Sequence, residues 1–237
     1  MKNEIYDICI IGAGLAGLYT LNKLSGSGLK VICIEIGGNV HKNDSQFKLE
    51  FEQIGIDEYK GSKEGRSFGM GGTSYLWGGS LLPFTRYDFD KKDEFKNGYD
   101  LIRNVFDGFD HISLLKNLLG KEPKKEIIST WFKNVFNKDG YYEVSNVFIP
   151  FERKDFSSKK IQKDFKILTS HKLDHFKISH INNMEEFSIK EAVCLDLVNN
   201  EYISIEAAKF FLCAGALESS FIISKLMHEN KNNLKKT

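Results

Sequence analysis

The chain has 237 residues, with 33 lysine and arginine residues against 32 aspartate and glutamate residues, and a formal net charge of +1. Proteins that bind nucleic acid concentrate lysine and arginine against the phosphates, so this balance argues against a nucleic-acid partner. Hydrophobic residues make up 41% of the chain, which allows a sizeable core, and no apolar run reaches the roughly 18 residues of a membrane-spanning helix.

The first predicted unit is a strand, a glycine turn, a helix and a second strand within about 30 residues. Ile5 to Ile11 is an apolar, β-branched run that ends at the turn Gly12-Ala13-Gly14-Leu15-Ala16-Gly17. Leucines then recur at helical spacing up to Leu24, and Leu29 to Glu35 has the composition of a buried strand. The pattern predicts a βαβ unit with parallel strands.

This glycine turn follows the dinucleotide-binding fingerprint. Gly12 permits the tight turn, Gly14 lets the backbone approach a pyrophosphate, and Gly17 lets the helix pack on the strand. Glu35 ends the second strand, where a carboxylate can accept hydrogen bonds from ribose hydroxyls. Because a carboxylate disfavours a 2′-phosphate, the turn predicts FAD or NAD rather than NADP.

A second glycine cluster lies between Gly65 and Gly79 and includes Gly71, Gly72, Thr73 and Ser74. Glycines allow backbone N–H groups to approach an anion, and the two hydroxyl residues add donors. The apolar and aromatic residues of this cluster argue against disorder, and long loops inside compact domains are usually functional. The cluster therefore predicts a second ligand-binding loop.

After the second glycine cluster, the residue pattern of the chain changes twice. Residues 86–138 have the apolar stripes of helices. Short strands separated by polar breaks follow, the first at Phe165 to Thr169 and the last at Tyr202 to Ile205, which predicts a small antiparallel meander. Ala208 to Ala214 then predicts one more strand of the parallel sheet, followed by Gly215, an apolar helix from Glu218 to Met227 and a polar tail.

The cysteines and histidines suggest neither disulfides nor a metal site. The cysteines lie in strand-like runs without paired spacing, which predicts buried thiols, a reducing environment and, with no leader peptide in evidence, a cytoplasmic protein. His171 and His175 would share a face on a helix, but their neighbours predict a strand. The cysteines are Cys9, Cys33, Cys194 and Cys213.

Three segments, in this order, resemble the glucose-methanol-choline (GMC) oxidoreductase family: the fingerprint turn, Arg66 to Gly79, and Phe210 to Ser220. The middle segment, with its Trp-Gly-Gly ending, is similar to the flavin loop of a bacterial branch of that family. The resemblance implies an α/β fold with a Rossmann-like FAD-binding domain, a parallel sheet and a small antiparallel meander. The residues it assigns to FAD are Gly12, Gly14, Ala16, Gly17, Glu35, Arg66, Gly71, Gly72, Thr73, Ser74, Ala214 and Gly215.

The same resemblance implies how the chain is divided. Residues 1–95 and 161–230 would form two segments of the FAD-binding domain, and residues 96–160 part of a helical substrate region, with the C-terminal substrate part of the family absent. Some related proteins attach the flavin covalently through a histidine in the glycine loop. Ser74 to Trp77 contains no histidine, so the resemblance implies noncovalent FAD.

The family's activity is the oxidation of a CH–OH group by hydride transfer to flavin, with a histidine as the usual base. In the family that base lies near the C-terminus of a much longer protein, and none of the six histidines matches it, so no catalytic residue is identified. The resemblance therefore implies a truncated FAD-dependent oxidoreductase, the product of a truncated or disrupted gene, and the isolated chain is expected to be inactive. Two alternatives remain open: a noncatalytic nucleotide-binding module, and one piece of a split enzyme completed by another polypeptide. An NAD-dependent dehydrogenase would share the fingerprint but leaves the second glycine cluster unexplained.

Overall fold

The computed structural model describes residues 4–38, 65–77, 80–81, 126–127, 145–148, 165–181 and 186–234. The chain divides into two compact units, one made of Met1–Leu76 and Asp155–Thr237 and the other of Trp77–Lys154. The predicted helices of residues 86–138 lie outside the described residues, apart from a two-residue strand at Glu126–Ile127.

The first unit holds the larger of the two described sheets, and the second unit holds three short strands. In chain order, the elements are β1 (Ile5–Ile11), α1 (Leu15–Leu24), β2 (Val31–Ile34), a 3₁₀ helix (Gly72–Tyr75), β3 (Ser80–Leu81), β4 (Glu126–Ile127), β5 (Ser145–Phe148), β6 (Lys166–Leu168), β7 (His171–Ile181), β8 (Glu186–Asp196), β9 (Glu201–Leu212) and α2 (Gly215–Leu234). In the second unit, β5 pairs antiparallel with both β3 and β4.

The sheet of the first unit has the order β6-β2-β1-β9-β8-β7. Strands β6, β2, β1 and β9 pair in parallel, and β9, β8 and β7 pair antiparallel. This is the predicted combination of a Rossmann-like parallel sheet with an antiparallel meander, so the predicted fold class is confirmed.

Strand β9 joins the two halves of this sheet by changing partners along its length. Its first half pairs with β8, ending where Glu206 faces Glu191, and its second half pairs with β1 from Glu206 to Leu212. The sequence predicted two strands here, Tyr202 to Ile205 and Ala208 to Ala214, and that prediction was wrong. Glu206 and Ala207 do not interrupt the strand, because a change of partner requires no break in the extended backbone.

The assignment of Phe165 to Thr169 to the meander was also wrong. β6 pairs in parallel with β2, from Ile32 opposite Lys166 to Ile34 opposite Leu168. Ser170 follows with a φ of 58°, and its N–H donates to the Gly37 carbonyl oxygen at 2.9 Å. The composition of a short apolar run does not indicate the direction in which the strand pairs. It therefore could not distinguish parallel pairing with β2 from antiparallel pairing in the meander.

Both faces of β1 and β2 are buried, which explains why these two strands are apolar at nearly every position. On one face, β1 and β2 pack against α1, in a cluster made of Ile8, Ile10, Ala13, Leu18, Leu21, Val31, Cys33 and Met70. On the other face, they pack against the meander, in a cluster made of Tyr6, Cys9, Ile11, Ile32, Ile34, Ala192, Cys194, Ile205 and Ala207.

The cysteines are free thiols, and Cys9, Cys33 and Cys194 are buried while Cys213 is half-buried. The prediction that they serve as small hydrophobic residues is confirmed. Burial raises the pKa of Cys194 to about 12, since the thiolate loses its hydration in the apolar core. These thiols therefore stay protonated and act through packing.

Helix α2 is longer than the sequence predicted, because it begins at Gly215 and continues to Leu234 through the segment expected to be a polar tail. Lysine, asparagine and glutamate tolerate an exposed helix, so their polarity did not mark its end. Neither helix of the described part of the chain is long and apolar enough to cross a membrane.

Candidate functional site

The turn between β1 and α1 is compact because it lacks side chains at two positions. Gly12 has a φ of +101°, and a Cβ there would lie 2.5 Å from the carbonyl oxygen of Cys213. A Cβ on Gly17 would lie 1.9 Å from the Gly12 carbonyl oxygen. Both predicted roles are therefore met: Gly12 makes the turn and Gly17 lets the helix sit against it.

Gly14 stands at the N-terminus of α1 in a different environment. It is the N-cap residue, no side chain caps the helix there, and the first turn contains no acidic residue. Among the described residues, apart from its chain neighbours and its own helix, no atom lies within 4 Å of the position that a Cβ on Gly14 would take. The first N–H groups of a helix lack intrahelical acceptors and carry a partial positive charge, so this open end suits an anion.

The second glycine cluster lies directly against the first. The Gly71 N–H donates to the Ala13 carbonyl oxygen at 2.8 Å, and Gly14 and Gly71 form a parallel bridge. A Cβ on Gly72 would lie 3.0 Å from the Cα of Gly14. The two loops that the sequence singled out separately thus form one surface.

The two hydroxyl residues of the second loop differ in their surroundings. Ser74 is buried, and its hydroxyl donates to the Gly71 carbonyl oxygen at 2.6 Å. Thr73, on the same 3₁₀ helix, is exposed. Thr73 can therefore present a donor to a ligand, whereas the Ser74 hydroxyl holds the loop in shape.

Glu35 is the predicted ribose acceptor, and it is only 5% exposed. Its Oε2 accepts a hydrogen bond from the Ala13 N–H at 2.8 Å, and its Oε1 accepts from Gly37 at 2.8 Å and Gly69 at 3.0 Å. Burial raises the pKa of this carboxyl group, and the three N–H bonds oppose that rise. The carboxylate thus holds the glycine turn to the second loop.

The third predicted segment reaches the same place. The Cα of Ala214 would lie 2.9 Å from a Cβ on Gly12, and Gly215 begins α2. Arg66 forms an ion pair of 2.7 Å with Glu218 in the first turn of α2, and its guanidinium lies 5.3 Å from the centre of the Phe68 ring. The carboxylate of Glu218, a residue that the sequence analysis did not select, thus neutralises the predicted Arg66.

Most of the predicted cofactor residues are brought together. Nine of them, from all three segments, are connected to one another by close contacts, hydrogen bonds or an ion pair. Ala16 is not among them and is exposed on the first turn of α1. Ala13, Gly37 and Gly69 were not predicted from the sequence, because they act through backbone N–H groups and so leave no side-chain pattern. The joined residues are Gly12, Gly14, Gly17, Glu35, Arg66, Gly71, Gly72, Ser74 and Ala214.

Comparison with known proteins gives a likeness in structure only. No family model matches the chain, and no curated protein matches it. The chain is similar in structure to pyridoxine 4-oxidase from Mesorbium loti, with 19% identity and a TM-score of 0.54 over 90% of this chain and 50% of that one.

A formate oxidase is similar at 14% identity and a TM-score of 0.57, over 94% of this chain and 48% of that one. A formate oxidase variant from Aspergillus oryzae RIB40, solved to study modification of its FAD, gives the same values. These likenesses show the fold, and the chain spans about half the length of each protein.

Two alanine substitutions separate the packing role of the turn from its binding role. Gly17→Ala should lower the free energy of unfolding by about 1–3 kcal/mol, because its Cβ would overlap the Gly12 carbonyl oxygen. Gly14→Ala should change it by less than about 0.5 kcal/mol, since its Cβ meets open space.

If the turn binds a dinucleotide as the sequence predicts, Gly14→Ala should nevertheless weaken that binding by about tenfold or more, the equivalent of roughly 1.4 kcal/mol. Urea unfolding and ligand titration of both variants measure the two effects. Equal unfolding free energies for Gly14→Ala and Gly17→Ala, or undiminished binding by Gly14→Ala, would contradict this division of roles.

Proposed function

We propose that the chain binds FAD noncovalently and forms the flavin-binding part of an oxidoreductase of the GMC family. The observation that carries the proposal is the surface made by the two glycine loops at the carboxyl end of β1. There, the open position of Gly14 adjoins the uncapped N-terminus of α1, and Gly71 is bonded to Ala13. Ligands of open α/β sheets bind at the carboxyl ends of the strands.

The residues present fit such a cofactor. The glycine turn and the first N–H groups of α1 would hold the diphosphate, and the exposed Thr73 would donate to it or to the adjoining part of the flavin. Ala214 and Gly215 leave room for close approach on the third side. When bound, FAD supplies the acceptor for a hydride from a CH–OH group.

The second loop favours FAD over NAD. An NAD-dependent dehydrogenase uses the first glycine turn alone, and nothing in that function requires a second glycine loop bonded to it. Here the Gly71 N–H bonds to Ala13, and Gly72 packs on Gly14. The fold shared with two oxidases gives further support, although it extends over about half of each of those proteins.

The reaction with a substrate is proposed for a complete protein that contains more polypeptide than this chain. We propose oxidation of an alcohol or sugar CH–OH group there, and we assign no catalytic residue to this chain. A noncatalytic nucleotide-binding module is the second candidate, because the surface made by the two glycine loops would bind a nucleotide equally well.

The direct test is the visible absorption spectrum of the purified chain after incubation with FAD and removal of free flavin. We expect a retained, protein-perturbed flavin band, and flavin that leaves the polypeptide on acid precipitation. NAD under the same conditions should not be retained. A folded chain that retains no FAD would overturn the proposal, and flavin that stays attached after acid treatment would overturn the noncovalent mode.

We also propose that a further polypeptide completes the flavin-binding unit. Within the described part of the chain, residues 207–212 of β9 pair with β1 on one side and with no strand on the other. Helix α2 exposes 44% of Leu217 and 52% of Phe221. A strand edge without a described partner, followed in the chain by a helix with exposed apolar side chains, suits an added β-strand.

Coexpression with the polypeptide encoded next to this chain would measure that completion. The proposal predicts a stable complex and alcohol-dependent bleaching of bound flavin under anaerobic conditions. A chain that binds FAD but remains a monodisperse monomer with no bleaching in the presence of that polypeptide would favour the noncatalytic module.

A further inference from the structure

The buried carboxylate of Glu35 connects three separate backbone segments. Its hydrogen bonds reach Ala13 in the glycine turn, Gly37 just after β2, and Gly69 in the second loop. A carboxylate offers about four lone-pair positions, two on each oxygen. Within the described residues, three of them are filled by backbone N–H groups, two on Oε1 and one on Oε2.

The backbone around Glu35 holds that side chain in place. The Glu35 N–H donates to the Leu168 carbonyl oxygen at 2.8 Å, and its own carbonyl oxygen accepts from the His171 N–H at 2.9 Å. A Cβ on Gly37 would lie 2.1 Å from the Gly69 nitrogen, so the segment after β2 and the second loop touch without intervening side chains. The carboxylate therefore has little freedom to turn toward another partner.

Within the described residues, the charge of Glu35 is balanced by these N–H groups rather than by a cation. None of the described lysine, arginine or histidine residues forms an ion pair with it. A buried carboxylate without hydrogen bonds is costly, and N–H bonds to a charged acceptor are stronger than neutral ones. The three backbone segments thus stabilise the charge of the carboxylate, and the carboxylate in turn holds the three segments together.

We infer that Glu35 is a positioning residue that assembles the two glycine loops into the binding surface before any ligand arrives. The effect of Glu35 on ligand binding rests on the proposed dinucleotide function, whereas its effect on the loops needs no ligand. It also limits the ribose contact expected from the sequence, because the described bonds leave Glu35 one acceptor position on Oε2. Glu35 would then accept a single hydroxyl.

Glutamine cannot replace the carboxylate in this arrangement. Its amide has one carbonyl oxygen, which can face either Ala13 or the pair formed by Gly37 and Gly69. In both orientations the NH₂ group points its hydrogens at a backbone N–H. Glu35→Gln should therefore release at least one of the loops. Glu191→Gln is the matched control, since Glu191 is bonded to Lys177 and lies outside the site.

The test is amide hydrogen exchange, measured by NMR on the ligand-free full chain. In Glu35→Gln, the amide of Ala13 or the amide of Gly69, whichever faces the NH₂ group, should exchange about tenfold faster or more, as expected for the loss of one charge-assisted hydrogen bond. Amides within β1 and β2 should keep their wild-type rates, and Glu191→Gln should match the wild type throughout. Unchanged rates at Ala13 and Gly69, or equal acceleration at every amide, would overturn the inference.

A second variant covers the case in which Glu35→Gln fails to fold. Gly37→Ala keeps the carboxylate but forces the Gly69 backbone away from it. The Gly69 amide should then exchange faster while the Ala13 amide stays protected. Wild-type rates at Gly69 in this variant would count against the inference.

Titration with FAD separates this inference from the proposed function. Glu35→Gln should bind FAD about tenfold more weakly or worse than the wild type. If the wild-type chain binds no FAD but the Glu35 variants still show local acceleration, the positioning role stands and the proposed function fails. FAD binding of equal strength in the wild type and a folded Glu35→Gln chain would overturn the positioning role alone.

Discussion

The structure depends on the close approach of backbone to backbone at the carboxyl end of β1. Helix α1 can begin where it does only because Gly17 carries no Cβ to meet the Gly12 carbonyl oxygen. The same turn receives Ala214 from the end of β9 and Gly71 from the second loop. Three segments distant in sequence meet at one point, and the first N–H groups of α1, which have no intrahelical acceptors, make the surface suited to an anionic ligand.

The sequence predicted the parts of this arrangement that depend on local chemistry. Apolar runs flanked by glycine located β1, α1 and β2, and the glycine and hydroxyl pattern located the second loop. Strands β1 and β2 are buried on both faces, so their composition was unambiguous. Gly12 and Gly17 each have a steric reason to be glycine, whereas Gly14 was selected only by its spacing in the fingerprint.

The sequence could not predict pairings that depend on tertiary contacts. β9 changes partner at Glu206, and β6 lies beside β2 rather than in the meander. Neither fact is encoded in a local pattern, because strand composition reports burial and not the neighbour. The three donors to Glu35 were hidden for a related reason: every residue other than proline carries a backbone N–H, so only the folded chain reveals which ones face the carboxylate.

The most direct measurement of the central claim is hydrogen exchange of the full chain by mass spectrometry, with and without FAD. The account predicts that FAD slows exchange in two segments distant in sequence, residues 12–18 and 69–75, and leaves the β7–β8 hairpin unchanged. Protection confined to the first segment would contradict the claim that both glycine loops form one binding surface. Protection in neither segment would contradict the proposed site as a whole.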